Sequence, residues 1–175
     1  MPFPISTRGS IPIPFDAAAL SDADIIVACV DQIEHERARV VSRTQSTVRF
    51  EAPFFRAWTN GWWLTALASA GQFVVDSAAD GRRVLRYQLS TGRNAVMGTV
   101  MTVVLFWVVI PSFETAPEVP WLFTFMMWFS GWLWIVGGNW ATAAIRARFW
   151  CRKRVADAKA ASTRLTPSRH PGAAT

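Results

Sequence analysis

The residues that could do acid–base or metal chemistry are few, and His35 between two carboxylates is the most suggestive group. The run reads Glu34-His35-Glu36. Neighbours in sequence do not share a helix face, so these three side chains cannot converge on one metal ion. A metalloprotease helix needs a second histidine at helical spacing, and the other histidine, His170, lies far along the chain. The group is interpreted as a solvated helix surface, and no metal or cofactor is predicted.

Nucleophilic and phosphate-binding motifs are missing from the sequence as well. Cys29 and Cys151 are the only cysteines, and their separation fits neither a metal site nor a disulfide framework. No serine lies in a nucleophile elbow, and the chain has no glycine-rich phosphate loop. The sequence therefore predicts no catalytic residue and a protein without enzymatic activity.

Two long apolar runs without ionisable residues dominate the second half of the chain. They cover residues 94–113 and 119–145, and the segment between them contains Glu114 and Glu118. Helices of this length are about 30 Å long or more, which matches the hydrocarbon thickness of a lipid bilayer. The pattern predicts an integral membrane protein with a two-helix transmembrane hairpin. The alternative is a buried hairpin of a globular protein, which would need more surrounding apolar surface than this chain offers.

Basic residues flank the outer ends of both runs and are absent from the acidic turn. This asymmetry predicts that both termini are cytoplasmic and that the protein lies in the cell inner membrane. The basic residues after the second run are expected to contact anionic lipid headgroups. Because they account for part of the net charge of +6, no nucleic-acid partner is predicted. The expected headgroup contacts are Arg146, Arg148, Arg152, Lys153 and Arg154.

Tryptophans mark the places where the chain is expected to meet the membrane–water interface, since their rings are amphipathic. Three of them lie near the ends of the second run. Others belong to an aromatic-rich stretch, residues 54–63, around the hairpin signal Asn60-Gly61. Rings in this stretch either fill the core of a sheet or enter the interface. If the rings of this stretch enter the interface, Trp58, Trp62 and Trp63 are interfacial. The tryptophans near the ends of the second run, Trp121, Trp140 and Trp150, are expected there as well.

Small residues in the apolar runs predict where helices approach each other closely. The nearest candidate contact is between the two runs themselves, with Gly98 on the first. Packing against a protein partner or a second copy of the chain is the alternative. The expected packing residues are Gly98, Gly131, Gly137, Gly138 and Ala141.

The first half of the chain predicts a small α+β domain. Ser21 and Asp24 form a helix-start signal, and an apolar stripe at helical spacing predicts a helix from about residue 22 to 37. Alternating residues predict hairpins from 38–43 with 47–52 and from 72–76 with 82–90. A further hairpin is expected from 54–59 and 62–70, and residues 11–15 form an edge strand or an extended lead-in. The expected result is one helix on an antiparallel sheet of five or six strands.

These observations divide the chain into three expected parts. Residues 1–93 form the cytoplasmic α+β domain, residues 94–145 the transmembrane hairpin, and residues 146–175 a basic juxtamembrane segment with a disordered tail. The predicted function is that of a non-catalytic accessory or scaffold subunit whose cytoplasmic domain contacts a partner or the membrane surface. The alternative function is a membrane-embedded enzyme or transport component that acts on a lipidic or apolar substrate.

Overall fold

The computed structural model describes residues 5–14, 20–53, 64–78, 80–113 and 121–165 of the chain. Within these ranges the protein has an α+β fold. The strands are β1 (Ser6–Pro12), β2 (Arg39–Arg43), β3 (Thr47–Glu51), β4 (Ala70–Ser77) and β5 (Arg83–Ser90). The helices are α1 (Asp22–His35), α2 (Leu64–Leu67), α3 (Gly92–Phe113), α4 (Trp121–Trp132) and α5 (Gly138–Leu165), with a π-helical segment, Leu133–Gly137, joining α4 to α5.

The strands form one antiparallel sheet in the order β1-β5-β4-β3-β2. The hairpins β2–β3 and β4–β5 confirm two of the predicted strand pairs. Of the predicted edge strand or lead-in at residues 11–15, Ile11 and Pro12 lie in β1, an edge strand that begins earlier, at Ser6. The missing amide donor of Pro12 costs no sheet hydrogen bond at this edge. The predicted strand at residues 62–70 is wrong over Leu64–Leu67, which is helical, and residues 54–63 lie outside the described part of the chain.

Helix α1 begins where the sequence predicts, because Ser21 and Asp24 cap it reciprocally. The amide of Asp24 donates to Ser21 Oγ at 3.2 Å, and the amide of Ser21 donates to Asp24 Oδ2 at 3.0 Å. These bonds satisfy amide groups that have no partner inside the helix. The predicted apolar stripe is buried in full: Ile25, Ile26, Cys29, Val30 and Ile33.

The core lies between the inner face of the sheet and two helices, α1 and α5. Leu85, Tyr87 and Leu89 of β5 share this inner face, as their alternation predicts. Helix α5 joins the core through residues at spacings of three and four, which place them on one helix face. These residues are Ala147, Cys151, Val155 and Ala158. Helix α5 continues to Leu165, so residues 146–165 of the predicted juxtamembrane segment and tail are helical.

The predicted transmembrane hairpin is wrong, because no helix in the described ranges is both long enough and apolar enough to cross a membrane. The prediction of an integral inner-membrane protein depends on this hairpin, so it is wrong as well. The same correction applies to the inner-membrane location with cytoplasmic termini and to the alternative of a membrane-embedded enzyme or transporter.

The contacts of the second apolar run show why composition alone is misleading here. Helix α4 ends at Trp132, and the chain passes through the π-helical segment before α5 begins at Gly138. From that point, the helix packs on the α+β domain. Trp140 Nε1 donates to the backbone oxygen of Ser6 at 3.0 Å, and Ala143 is buried. The run that reads as one membrane-length helix is therefore divided between an exposed helix and a helix that contacts the domain.

Candidate functional site

The carboxylates around His35 have different surroundings and do not form a metal site. Glu36 is 2% exposed and accepts hydrogen bonds from Trp150 Nε1 at 3.0 Å and Gln32 Nε2 at 3.2 Å. Glu34 and His35 are exposed. In the described part of the chain, no group of three or more histidine, cysteine or acidic residues could hold a metal ion.

The two cysteines lie in the shared core of α1 and α5, and both are fully buried. Burial raises the pKa of Cys29 from its ordinary value of 9.0 to about 12. Burial also raises the pKa of Cys151, and the neighbouring charge of an ionised Cys29 adds to this effect. The thiolate is the reactive form of cysteine, so neither residue suits nucleophilic chemistry at neutral pH.

A large exposed apolar surface lies on α3, α4 and the π-helical segment, and we call it the apolar helical surface. Its most exposed members are Trp134, at 83%, and Trp107, at 74%. On α3 it comprises Val96, Met97, Val100, Met101, Val103, Val104, Leu105, Trp107 and Val108. On α4 and the π-helical segment it comprises Leu122, Phe123, Phe125, Met126, Met127, Phe129, Leu133 and Trp134.

The apolar helical surface extends around the outer sides of both helices. At 3.6 residues per turn, the exposed apolar residues of each helix cover an arc of roughly 200°. No ionisable residue occurs in residues 94–113 or 121–145. Exposed apolar patches on monomeric proteins rarely exceed a few hundred Å², and larger ones mark binding surfaces. This surface is therefore the candidate functional site.

Helices α3 and α4 are held together by contacts on their inner sides. Trp132 Nε1 donates to Thr99 Oγ1 at 2.9 Å, which satisfies an indole donor between the helices. Gly98 allows the close approach, because a Cβ atom there would lie 3.1 Å from Val136 Cγ2 and 3.2 Å from Ile135 Cγ2. The pair is thus closely packed on its inner side and exposed on its outer side.

The other predicted packing residues have different surroundings. A Cβ atom at Gly131 or at Gly138 would meet nothing within 4 Å. Gly137 and Ala141 are half-buried. Gly98 thus has a close contact between α3 and the π-helical segment, whereas Gly131 and Gly138 have none within 4 Å.

The base of α3 is fixed to the α+β domain. Arg93 Nη1 donates to the backbone oxygens of Ala52, at 3.0 Å, and Pro53, at 2.7 Å. Asn94 Nδ2 donates to the backbone oxygen of Leu67 at 2.9 Å. With the bond between Trp140 and Ser6, these contacts position the apolar helical surface beside the end of the sheet.

The tryptophans predicted to lie at an interface have separate roles where the structure describes them. Trp140 donates to Ser6, as described above. Trp150 stacks on Phe73, with ring centroids 4.7 Å apart, while its Nε1 donates to Glu36. The side chain of Trp121 lies outside the described part of the chain, as do Trp58, Trp62 and Trp63.

The five basic residues of α5 divide into those engaged with the domain and those that face outward. Arg154 donates to Gln32 Oε1 at 2.9 Å, pairs with Asp157 at 3.0 Å and lies over the Trp150 ring. Arg146 is half-buried. The exposed members are Arg148, Arg152 and Lys153.

Two exposed apolar residues lie next to these basic ones: Ile145, which the sequence predicts as the end of the second apolar run, and Phe149, for which the sequence predicts no role. Ile145 is 57% exposed and Phe149 is 66% exposed. Their signal was present in the sequence, because Ile145, Arg148, Phe149 and Arg152 follow the helical spacing of three and four residues. The sequence predicts the basic residues as a group, but only the structure shows which of them share a face with apolar side chains.

Comparison with known proteins identifies no relative: no family model, curated protein or solved structure matches the chain. The apolar helical surface, its attachment to the domain and the basic residues that follow it on α5 are therefore the features from which a function can be inferred.

Proposed function

We propose that the protein binds a lipid surface through α3 and α4 and thereby holds its α+β domain at that surface. The observation that supports this proposal is the arc of exposed apolar side chains on both helices. A helix that packs on one protein partner needs an apolar stripe of only about 100°. Lipid acyl chains contact a helix from every open side, which matches an apolar arc of roughly twice that width.

The composition of the surface also favours lipid over water. Burial of apolar area contributes about 25 cal/mol per Å² removed from water, so every exposed valine, phenylalanine or methionine here favours an apolar surrounding. No ionisable residue interrupts the surface within residues 94–113 and 121–145, and the basic side chains of α5 follow only beyond it. Protein interfaces, in contrast, place polar residues around an apolar centre. The attachment of α3 through Arg93 and Asn94 would then keep the α+β domain close to the bound lipid.

Flotation of the full chain with phosphatidylcholine vesicles tests the proposal. The parent chain is expected to float with the vesicles. Val104→Glu with Met126→Glu places two charges in the apolar helical surface, at positions that are 51% and 62% exposed. A charged side chain costs about 2.5–3.5 kcal/mol at the centre of the hydrocarbon layer and less near its surface, so the two charges together should weaken binding by roughly a hundredfold.

The matched control is Ser10→Glu with Gln88→Glu, which adds the same charge to exposed positions on the outer face of the sheet. This control should float like the parent chain. In the competing outcome, a second copy of the chain covers the apolar helical surface. Light scattering without lipid detects this outcome, because it measures the mass of the protein in solution. A discrete oligomer that does not float would contradict the proposal, and so would equal flotation of the two charged variants.

A further inference from the structure

One side of α5 carries an alternation of apolar and basic side chains, which we call the α5 stripe: Ile145, Arg148, Phe149 and Arg152. Spacings of three and four residues place them on one helix face. All four side chains are exposed. The opposite face of α5 contributes Ala147 and Cys151 to the core. The α5 stripe therefore faces away from the α+β domain on a helix whose orientation is fixed by that domain.

The charges of the α5 stripe are not neutralised within the described structure. Residues 138–156 contain no aspartate or glutamate. The ion pairs among the described residues leave out Arg148 and Arg152. The next acidic residue along the helix, Asp157, pairs with Arg154 instead. Two positive charges thus lie beside two large apolar side chains that are more than half exposed.

The α5 stripe continues from the apolar helical surface along a single helical path. Helix α4, the π-helical segment and α5 follow one another without a break from Trp121 to Leu165. The apolar helical surface ends at Trp134, and the α5 stripe begins about three turns later, at Ile145. A partner that covers the first surface therefore meets the α5 stripe at its edge.

We infer that the α5 stripe binds anionic lipid headgroups, with Arg148 and Arg152 at the phosphates and Ile145 and Phe149 in the apolar layer beneath them. This inference depends on the proposed function, because it gives that lipid surface a charge. At about 100° per residue, the arginines lie toward one edge of the α5 stripe, and Ile145 and Phe149 lie toward the other. Helices at a membrane surface likewise have basic residues toward the headgroups and aromatic and aliphatic residues toward the acyl chains. A nucleic acid would also attract the arginines, but it offers no apolar layer for Ile145.

The inference is tested with the full chain and phosphatidylcholine vesicles with and without added phosphatidylglycerol. A basic residue near an anionic surface strengthens binding roughly fivefold. The variant Arg148→Gln with Arg152→Gln should therefore bind the anionic vesicles roughly 25-fold more weakly than the parent chain. Its binding to neutral vesicles should be unchanged. Phe149→Asn should weaken binding to both kinds of vesicle.

The matched control is Arg8→Gln with Arg49→Gln, which removes two exposed charges from the outer face of the sheet. It should keep the preference of the parent chain for anionic vesicles. Loss of that preference in the control, or its survival in the Arg148 and Arg152 variant, would overturn the inference. Binding of a DNA oligonucleotide that depends on the two arginines, with vesicle binding unaffected, would overturn it as well.

The same experiment separates this inference from the proposed function. A parent chain that floats with neither kind of vesicle contradicts the proposed function. A parent chain that floats equally with both kinds contradicts only the role of the α5 stripe.

Discussion

Glu36 shows how a residue that could do chemistry is used for structure. Its carboxylate is buried at the end of α1 and accepts hydrogen bonds from Trp150 and Gln32. Gln32 in turn accepts a hydrogen bond from Arg154, so the network joins α1 to α5. Hydrogen bonds to a charged group contribute about 1.5–3 kcal/mol, and a buried carboxylate that loses a donor also bears a desolvation cost.

Trp150→Phe should therefore destabilise the fold by about 1.5–3 kcal/mol. The substitution retains an aromatic ring for stacking on Phe73 but removes the Nε1 donor to Glu36. The control is Trp134→Phe, since Trp134 is 83% exposed and its replacement should change stability by less than about 0.5 kcal/mol. Urea unfolding of the α+β domain measures both changes. If the two variants unfold at the same urea concentration, the bond to Glu36 contributes nothing measurable.

The contact between α3 and the helical path through α4 depends on one glycine and one indole. Gly98 lies against Val136 and Ile135, and the residue after it, Thr99, accepts a hydrogen bond from Trp132. Gly131, on the other helix, faces open space. The glycines of the apolar runs thus differ in what they contact, although their surroundings in the sequence are similar.

Gly98→Leu should separate the two helices, because even a Cβ atom there lies within 3.2 Å of two side chains. Overpacking of this kind costs about 1–3 kcal/mol. Gly131→Leu is the matched control and should cost less, since nothing lies within 4 Å of its Cβ position. Thermal unfolding in a mild detergent and protease cleavage within α3 report the difference. Identical melting and cleavage of the two variants would show that the inner contact of α3 does not depend on Gly98.

The elements that the sequence predicts correctly are those whose signals are local. The cap of α1 needs only Ser21 and Asp24, and the strand pairs β2–β3 and β4–β5 need only alternation and a short turn. The division of the second apolar run is different, because it depends on a bond between Trp140 and Ser6, which lie 134 residues apart in the sequence. An apolar residue looks the same in sequence whether it contacts lipid, a second helix or a sheet.

The same limit applies to the candidate site. The predicted set of basic residues contains Arg148 and Arg152, which face outward, but also Arg154, which binds Gln32 and Asp157. The sequence shows the helical spacing of these residues, but it does not show which face of α5 packs on the domain. That face is chosen by the fit of Ala147 and Cys151 into the core, which is a property of the tertiary structure.

The whole molecule depends on α5, which is far from the rest of the core in sequence. Ala147, Cys151, Val155 and Ala158 pack with residues of α1 and the sheet in one cluster. A domain with so few residues gains little stability from its sheet and α1 alone. The late helix therefore completes a core that begins near the start of the chain.

A chain that stops after Ile145 should lose the α+β fold, because it lacks all four core residues of α5. Deleting even one large core side chain typically costs 2–5 kcal/mol, which is comparable with the whole stability of a small domain. A chain that stops after Leu165 is the control and should remain folded. Circular dichroism and protease resistance distinguish the two. Retained sheet signal and protease resistance in the shorter chain would show that α1 and the sheet are sufficient.

The π-helical segment Leu133–Gly137 has a consequence for the phase of the helix that contains it. Thr124, Trp128, Trp132, Val136 and Trp140 follow one another at intervals of four, and none of them is exposed. In a regular α-helix, such a row drifts by about 40° at every step and soon turns to the opposite side. A turn closed by i→i+5 bonds contains about one residue more than an α-helical turn, so it reverses part of that rotation. One row of side chains can thus face α3 at Trp132 and Val136 and still face β1 at Trp140.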